Sequence, residues 1–165
     1  MPLPLRYYTN SRGQCAVILL AALHEMYIKD GMGIVTKSEA IRFISNHHWF
    51  DVRDEDREPY RSQSQLTGEP RWHTLIAWAR KDGVICDYIS NEGRDSWGIT
   101  RPGRNLFEQF RGSCSIGKKP VDLCFLWTVQ FKKHMNPNYE PGKNDKTRPF
   151  HFYSDTMLDI SELLD

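Results

Sequence analysis

Cationic and hydroxyl side chains cluster in the stretch RWHTLIAWARK, residues 71–81, at spacings that could place them on one side of a helix. Arginine can donate two parallel hydrogen bonds to a phosphate or a guanine edge, and lysine supplies a point charge. Histidine and threonine can add single hydrogen bonds to either group. Such a set is typical of a surface that binds a polyanion. Its members are Arg71, His73, Thr74, Arg80 and Lys81.

Further arginines follow at positions from which they could reach the same ligand. Arg94 lies in the polar turn SNEGRD, where an arginine can contact a phosphate or the minor groove of DNA. Arg101 and Arg104 come in the first turn of a later predicted helix, a suitable place for holding a phosphate. For all of these residues the alternative is an ordinary solvated surface, and the sequence leaves both open.

The distribution of charge indicates more than the net charge, which is only +1. Residues 51–69 carry a net charge of −3, residues 70–111 carry +2 and residues 112–153 carry +4. The last twelve residues contain four acidic groups and no basic one. A basic centre between acidic edges suits a local contact with a polyanion, although an unevenly charged surface without a partner explains the pattern equally well.

The sequence lacks the patterns that catalysis or metal binding would need. The four cysteines are scattered without metal-ligand spacing, and no two histidines are spaced to chelate. The stretch GSCSIG at 112–117 lacks the nucleophile-elbow pattern, and no glycine-rich loop of the Walker type is present. We therefore predict a protein that is not an enzyme and uses no metal or cofactor.

The N-terminal segment and the cysteines indicate the compartment and the relation to membranes. The start, MPLPLRYYTNSRGQ, lacks the continuous apolar region of a signal peptide. The apolar run CAVILLAALHEMYI is too short and too interrupted to cross a bilayer. Cys15 and Cys124 lie in apolar runs and are expected to be buried, reduced thiols. We expect a cytoplasmic protein that has no membrane partner.

Apolar residues recur with helical period in the first part of the chain. A helix is predicted over 12–30, and its wide apolar stripe indicates the central core helix, which ends at Gly31. Thr36 and Glu39 form a capping box, in which each side chain can bond the backbone of the other. A second helix is therefore predicted over 37–47.

A long polar loop over 50–69 precedes a third predicted helix. This helix begins near Pro70 and runs to Lys81, with Gly83 as its stop. The cationic set occupies one side, together with Trp78. The opposite stripe is apolar and should face the core; it contains Trp72, Leu75, Ile76 and Ala79.

A hairpin is predicted directly after the third helix. The apolar runs at 84–89 and 96–100 have strand composition and flank a polar turn that contains a glycine. Trp97 is expected in the core. Thr100 should cap a further helix, whose apolar face is formed by Leu106, Phe107 and Phe110.

The C-terminal part is less regular. Residues 119–135 alternate like a strand, but Pro120 and Asp122 near the beginning and the basic residues near the end favour a helix. We favour the helix and expect it to form the contact in a homodimer. A short acidic helix over 156–165 is also predicted. The division into domains is then 1–111, with 112–165 as an extension.

Three helices followed by a hairpin is the order of elements in a winged helix. The predicted fold is α/β but mainly α, a winged helix-turn-helix with an N-terminal core helix and an additional C-terminal helix. In that architecture the third helix enters the major groove of DNA, while the hairpin reaches an adjacent groove or the backbone.

The stretch PRWHTLIAWARKDGVI, with RDSWGITRPGRNLF after it, resembles the N-terminal winged-helix domain of Mrr-type restriction proteins. The pattern is a helix containing W-A, a glycine stop, and a wing that ends in W-x-I-T-x-x-G. The resemblance implies a DNA-binding fold, with the sensing of modified or foreign DNA as one role. No spaced Asp…Glu-x-Lys set follows residue 110, so DNA cleavage is not implied. The matching residues are Ile76, Trp78, Ala79, Gly83, Val84, Ile85, Trp97, Ile99, Thr100 and Gly103.

Two functions remain at this point. The first is binding of double-stranded DNA in transcription control or in restriction and defence, with affinity from phosphate contacts and preference from the third helix and the wing. The second is a protein-interaction module on a winged-helix scaffold, because the same fold also binds proteins.

Overall fold

The computed structural model describes residues 10–47, 57–59, 69–115, 130–131 and 133–140. In this part of the chain the architecture is mainly helical, as the sequence predicts. None of the helices in these ranges is long and apolar enough to cross a membrane. The long helices are α1 (Asn10–Asp30), α2 (Lys37–His47), α3 (Arg71–Ile85) and α4 (Arg101–Ser115).

The central helix is α1, which packs most extensively against α3 and also contacts α2 and α4. Every residue from Cys15 to Met26 is buried. From Cys15 to Leu23 the run is apolar around its circumference and not only along one stripe, and the polar residues His24 and Glu25 are buried beyond it. After α1, Gly31 adopts a left-handed backbone with φ of 66°, which a glycine tolerates without steric cost. The predicted core helix and its end are confirmed.

The start of α2 has the predicted capping box. The backbone N–H of Glu39 donates to Thr36 Oγ1 at 3.2 Å, and the N–H of Thr36 donates to Glu39 Oε1 at 3.0 Å. The two bonds satisfy backbone donors that the first turn of a helix leaves without partners. Ile41 and Ile44 then face the core and are buried.

The end of α3 differs from the prediction, because the helix passes Gly83 and continues to Ile85. The stop is a Schellman motif. The N–H of Tyr88 donates to the Gly83 carbonyl at 2.8 Å, and the N–H of Asp87 donates to the Val84 carbonyl at 3.1 Å. Asp87 takes the left-handed conformation, with φ of 62°. Aspartate is one of the few non-glycine residues that visit this region.

Gly83 is required for close packing and not for ending the helix. A Cβ atom at this position would lie 2.5 Å from Ile89 Cδ1 and 2.8 Å from Ile89 Cγ1. Ile89 is buried and belongs to the core. The absence of a side chain at Gly83 therefore lets the segment after α3 fold back against the helix.

The two predicted strands at 84–89 and 96–100 are wrong as extended strands. Residues 84–85 belong to α3, and the pairing of the remainder is limited to one antiparallel bridge between Ile89 and Ile99. On either side of that bridge, Ser90 N–H donates to the Gly98 carbonyl at 2.8 Å and Thr100 N–H donates to the Tyr88 carbonyl at 3.0 Å. We call residues 86–100 the bridged loop.

A second bridge ties the bridged loop to the segment between α1 and α2. Val35 and Trp97 exchange two backbone hydrogen bonds, each of 2.8 Å. Three short segments therefore lie side by side, with 97–99 between Val35 and Ile89. The side chains of Val35, Trp97, Ile99 and Ile89 are all buried, so these segments cover one end of the helical core.

Thr100 caps α4 as predicted. Its Oγ1 accepts a hydrogen bond from Gly103 N–H at 3.1 Å and donates one to the Asp87 carbonyl at 2.6 Å. The first turn of α4 is thereby fixed to the end of α3. The predicted apolar face of α4 is buried; it consists of Leu106, Phe107 and Phe110.

Part of the C-terminal prediction lies outside the described residues. Residues 130–131 and 133–135, at the end of the predicted helix 119–135, are helical. The remainder of 119–135, the predicted helix over 156–165 and most of the loop 50–69 are not described. The homodimer contact and the division at residue 111 therefore remain predictions.

Candidate nucleic-acid interface

Two sides of α3 are accessible outside the core. The predicted apolar stripe, Trp72, Leu75, Ile76 and Ala79, is buried as expected. Roughly opposite lies a set that we call the outer stripe, formed by Thr74, Trp78, Lys81 and Ile85. Lys81 is exposed, and Trp78 and Ile85 are each 39% exposed. The outer stripe therefore presents one cation between two apolar side chains.

The second accessible side of α3 faces α2 and the bridged loop across a cleft of about 440 Å³, which we call the loop cleft. Its walls come from elements that are far apart in the sequence. They are Lys37 and Ser38 of α2, Ala77 and Arg80 of α3, and Arg94, Asp95 and Trp97 of the bridged loop.

Arg80 is held in place by the bridged loop. Its Nη2 donates to the carbonyl of Gly93 at 2.9 Å and to the carbonyl of Ser96 at 3.3 Å. These bonds fix the turn of the loop to α3 and fix the guanidinium at the same time. The sequence predicts Arg80 as a direct ligand contact; in the structure it is half-buried and also positions the loop.

Arg94 and Asp95 occupy the exposed turn of the bridged loop. Asp95 Oδ1 accepts a hydrogen bond of 2.8 Å from the backbone N–H of Lys37, so a residue distant in sequence caps α2. Lys37 Nζ lies 2.9 and 3.1 Å from the carboxylate oxygens of Glu69. Asp95 and the capping box already accept hydrogen bonds from backbone N–H groups at the start of α2. The positive charge of the loop cleft therefore comes from side chains and not from the N-terminus of this helix.

His73 lines a smaller neighbouring cleft of about 210 Å³, which shares Lys37 and Ser38 with the loop cleft. Ile41, Arg42 and Glu69 complete its walls. Burial lowers the pKa of His73 below 6.5, and Lys37 acts in the same direction while Glu69 opposes it. His73 is therefore a neutral hydrogen-bonding group near neutral pH and does not add a positive charge.

The remaining predicted contacts divide between exposed and structural positions. Arg101 is exposed at the start of α4. Arg71 is half-buried, and its backbone N–H donates to the Glu58 carbonyl at 2.9 Å. Arg104 donates from Nη1 to the Ile99 carbonyl at 3.2 Å, and its guanidinium lies 4.5 Å from the centroid of the Tyr27 ring. Arg104 thus joins α4 to α1 and does not line either cleft.

The structure brings His73, Arg80 and Arg94 to adjacent clefts, and Lys37 lines both of them. It adds Ser38 and Arg42, which the sequence alone does not mark as ligand contacts. Their nearness to Arg94 depends on the contact between α2 and the bridged loop.

In the described ranges there is no metal site, and the Cys86 thiol is not an activated nucleophile. No group of three histidine, cysteine or acidic side chains is placed to hold a metal ion there. Burial, reinforced by Asp82, raises the pKa of the Cys86 thiol to about 12. A buried thiol with that pKa carries almost no thiolate at neutral pH, so Cys86 is unsuited to nucleophilic chemistry.

Comparison with known proteins gives no further information: no family model, no curated protein and no solved structure matches this chain.

Proposed function

We propose that the chain is a winged-helix protein that binds double-stranded DNA through the outer stripe of α3 and the turn of the bridged loop. The order of elements supports this proposal. Three helices come first, then a loop whose two arms are bridged antiparallel, and Val35 between α1 and α2 pairs with one arm. In this proposal α3 is the helix that enters the major groove and the bridged loop is a short wing.

One observation carries the proposal more than any other. Lys81 of the outer stripe and Arg94 of the bridged loop come from two different elements, and both side chains are exposed to solvent. Affinity for DNA comes mainly from such contacts with phosphates. Thr74 is the residue of α3 proposed to contact a base edge.

The biological role follows from the resemblance noted in the sequence. We propose a role in transcription control or in restriction and defence, as a cytoplasmic DNA-recognition protein related to the N-terminal domain of Mrr-type proteins. Residues 119–135 are proposed as the contact between two copies. Two copies would place two recognition helices on the half-sites of a palindromic sequence.

The direct experiment titrates a fluorescent duplex with the full chain and with the variant Lys81→Gln/Arg94→Gln. Both side chains are exposed, so the variant should keep the circular dichroism spectrum and melting temperature of the parent. The control is Lys29→Gln, because Lys29 is 68% exposed and lies at the end of α1; its melting temperature is also measured, since Lys29 Nζ pairs with the buried Glu25 carboxylate. The proposal expects weaker binding by the double variant alone. Equal binding by all three proteins would refute the assigned interface.

A second function is favoured by the apolar part of the outer stripe. Trp78 and Ile85 expose 39% of their surfaces on either side of Lys81, and exposed tryptophan is enriched where proteins bind proteins. This alternative is a protein-interaction module that uses α3. It predicts that duplex DNA does not bind even at low salt concentration, which is the opposite of the first proposal.

A further inference from the structure

We infer that the loop cleft binds one phosphate group, held by the guanidinium groups of Arg80 and Arg94 and the hydroxyl of Ser38. The phosphate belongs either to the backbone of a bound duplex or to a free nucleotide. If the phosphate belongs to a duplex, the inference rests on the proposed function and deepens it by adding a DNA contact outside the outer stripe. If the phosphate belongs to a free nucleotide, the inference does not depend on the proposed function.

The guanidinium of Arg80 is fixed without being neutralised. Its Nη2 is bonded to two carbonyl oxygens, those of Gly93 and Ser96, and not to a carboxylate. Carbonyl oxygens orient a guanidinium but leave its full positive charge for a ligand. An arginine that is already ordered loses less conformational entropy when it binds an anion. The loop therefore prepares Arg80 for a ligand that enters the cleft.

The charges around the loop cleft do not cancel. Within the described part of the chain, neither Arg80 nor Arg94 makes an ion pair, whereas Lys37 pairs with Glu69. Among the described residues that line the cleft, Asp95 is the one carboxylate, and it accepts a hydrogen bond from the Lys37 backbone N–H at 2.8 Å. Two guanidinium groups against one carboxylate leave an excess of positive charge, which a phosphate would neutralise.

The dimensions and walls of the cleft agree with this ligand. A volume of about 440 Å³ exceeds the need of a phosphate alone and leaves room for the attached sugar. Small-molecule sites commonly occupy roughly 300–1,000 Å³. Ser38 is exposed at the rim and adds a neutral donor, while Ala77 and Trp97 form an apolar wall. A phosphate ester, charged at one end and less polar at the other, fits this combination.

The experiment follows the backbone amide resonances of the labelled full chain by NMR during titration with inorganic phosphate, deoxyadenosine monophosphate or a short duplex. The inference expects saturable shifts at Lys37, Ser38 and residues 94–97 with at least one of these probes. Arg94→Gln and Ser38→Ala should weaken those shifts several-fold. Both residues are exposed, so these variants should fold even if Arg80→Gln loosens the loop. Lys29→Gln is the control and should behave as the parent.

The outcomes distinguish between the two sources of the phosphate, and between this inference and the proposed function. Shifts with the duplex alone identify the DNA backbone as the source, and shifts with the mononucleotide alone identify a free nucleotide. Duplex binding that moves the resonances of α3 and Arg94, but not those of Lys37, Ser38 and residues 95–97, would overturn this inference and leave the proposed function intact. No shift of the cleft with any probe, or equal shifts in Arg94→Gln and the parent, would also overturn it.

Discussion

Two glycines of α4 should respond in opposite directions to the same substitution. Gly103 lies in the first turn, where an added Cβ atom would collide with the carbonyl oxygen of Tyr88 and lie 2.9 Å from Ile99 Cγ1. At Gly112, near the other end of the helix, an added Cβ atom would meet none of the described residues within 4 Å. The comparison tests whether α4 packs against the bridged loop.

The magnitudes follow from two opposing effects. Alanine is favoured over glycine inside a helix by about 1 kcal/mol, so Gly112→Ala should raise the free energy of unfolding by roughly 0.5–1 kcal/mol. At Gly103 the obstacle is a backbone carbonyl that accepts the Thr100 N–H at 3.0 Å, so it cannot move aside freely. Overpacking costs about 1–3 kcal/mol, which exceeds the helix gain. Gly103→Ala should therefore destabilise the chain by about 1–2 kcal/mol.

Thermal and urea unfolding followed by circular dichroism measure both changes. For a chain of this size, 1 kcal/mol corresponds to a shift of roughly 2–4 °C in melting temperature. The melting temperature should fall for Gly103→Ala and rise for Gly112→Ala. If Gly103→Ala stabilises the protein as much as Gly112→Ala does, the first turn of α4 is not in contact with the bridged loop and the described packing is wrong.

Three further predictions concern single side chains. Asp95→Ala should lower the free energy of unfolding by about 1 kcal/mol, because it removes a cap of α2. Asp95→Asn keeps a hydrogen-bond acceptor and should lower the free energy of unfolding by less. Urea denaturation of the two variants measures the difference. Burial lowers the pKa of His24 below 6.5 although Glu108 opposes the shift, so protonation favours the unfolded chain. The contribution of His24 to stability should be constant above about pH 6.5 and fall as the pH drops below it. The melting temperature, measured against pH, should therefore fall less in His24→Gln than in the parent. Cys86 is 5% exposed and burial raises the pKa of its thiol to about 12, so the thiol should resist alkylation at neutral pH until the protein unfolds. Mass spectrometry of the native and the denatured chain after alkylation measures this. Rapid labelling of the native chain would contradict the burial of Cys86.

Features that depend on local sequence could be predicted. The capping box at Thr36 and Glu39, the bounds of α2, the end of α1 at Gly31 and the Thr100 cap each require only residues close in the chain. The buried stripe of α3 was predictable for the same reason, because helical spacing alone selects its members. The mainly helical architecture follows from these elements.

The incorrect predictions involve residues whose role is set by distant contacts. A glycine after an apolar helix usually marks its end, but Gly83 lies inside α3 because Ile89 packs where its side chain would be. The true stop uses Asp87 in a left-handed conformation, and aspartate signals this less clearly than glycine does. The apolar run at 84–89 has strand composition, yet its first residues complete α3 and only Ile89 is bridged.

The candidate site was predicted in part for a similar reason. Lys81 and Arg94 are exposed as expected, because charge and turn composition are local properties. Arg80 and Arg104 are predicted from their charge as ligand contacts, but their guanidinium groups also donate to backbone carbonyls. Those bonds depend on how the bridged loop packs. Ser38 joins the loop cleft through contacts between distant segments, namely the Asp95 cap of α2, across 58 positions of the sequence, and the bridge between Val35 and Trp97.

The dependence of duplex affinity on salt concentration tests the central claim most directly. If the chain binds DNA through its lysine and arginine side chains, the logarithm of the association constant should fall linearly with the logarithm of salt concentration, with a slope of about −0.9 for each phosphate contacted. Lys81→Gln and Arg94→Gln should each make that slope less steep by about 1. No measurable binding at low salt, or a slope that neither substitution changes, would contradict the account.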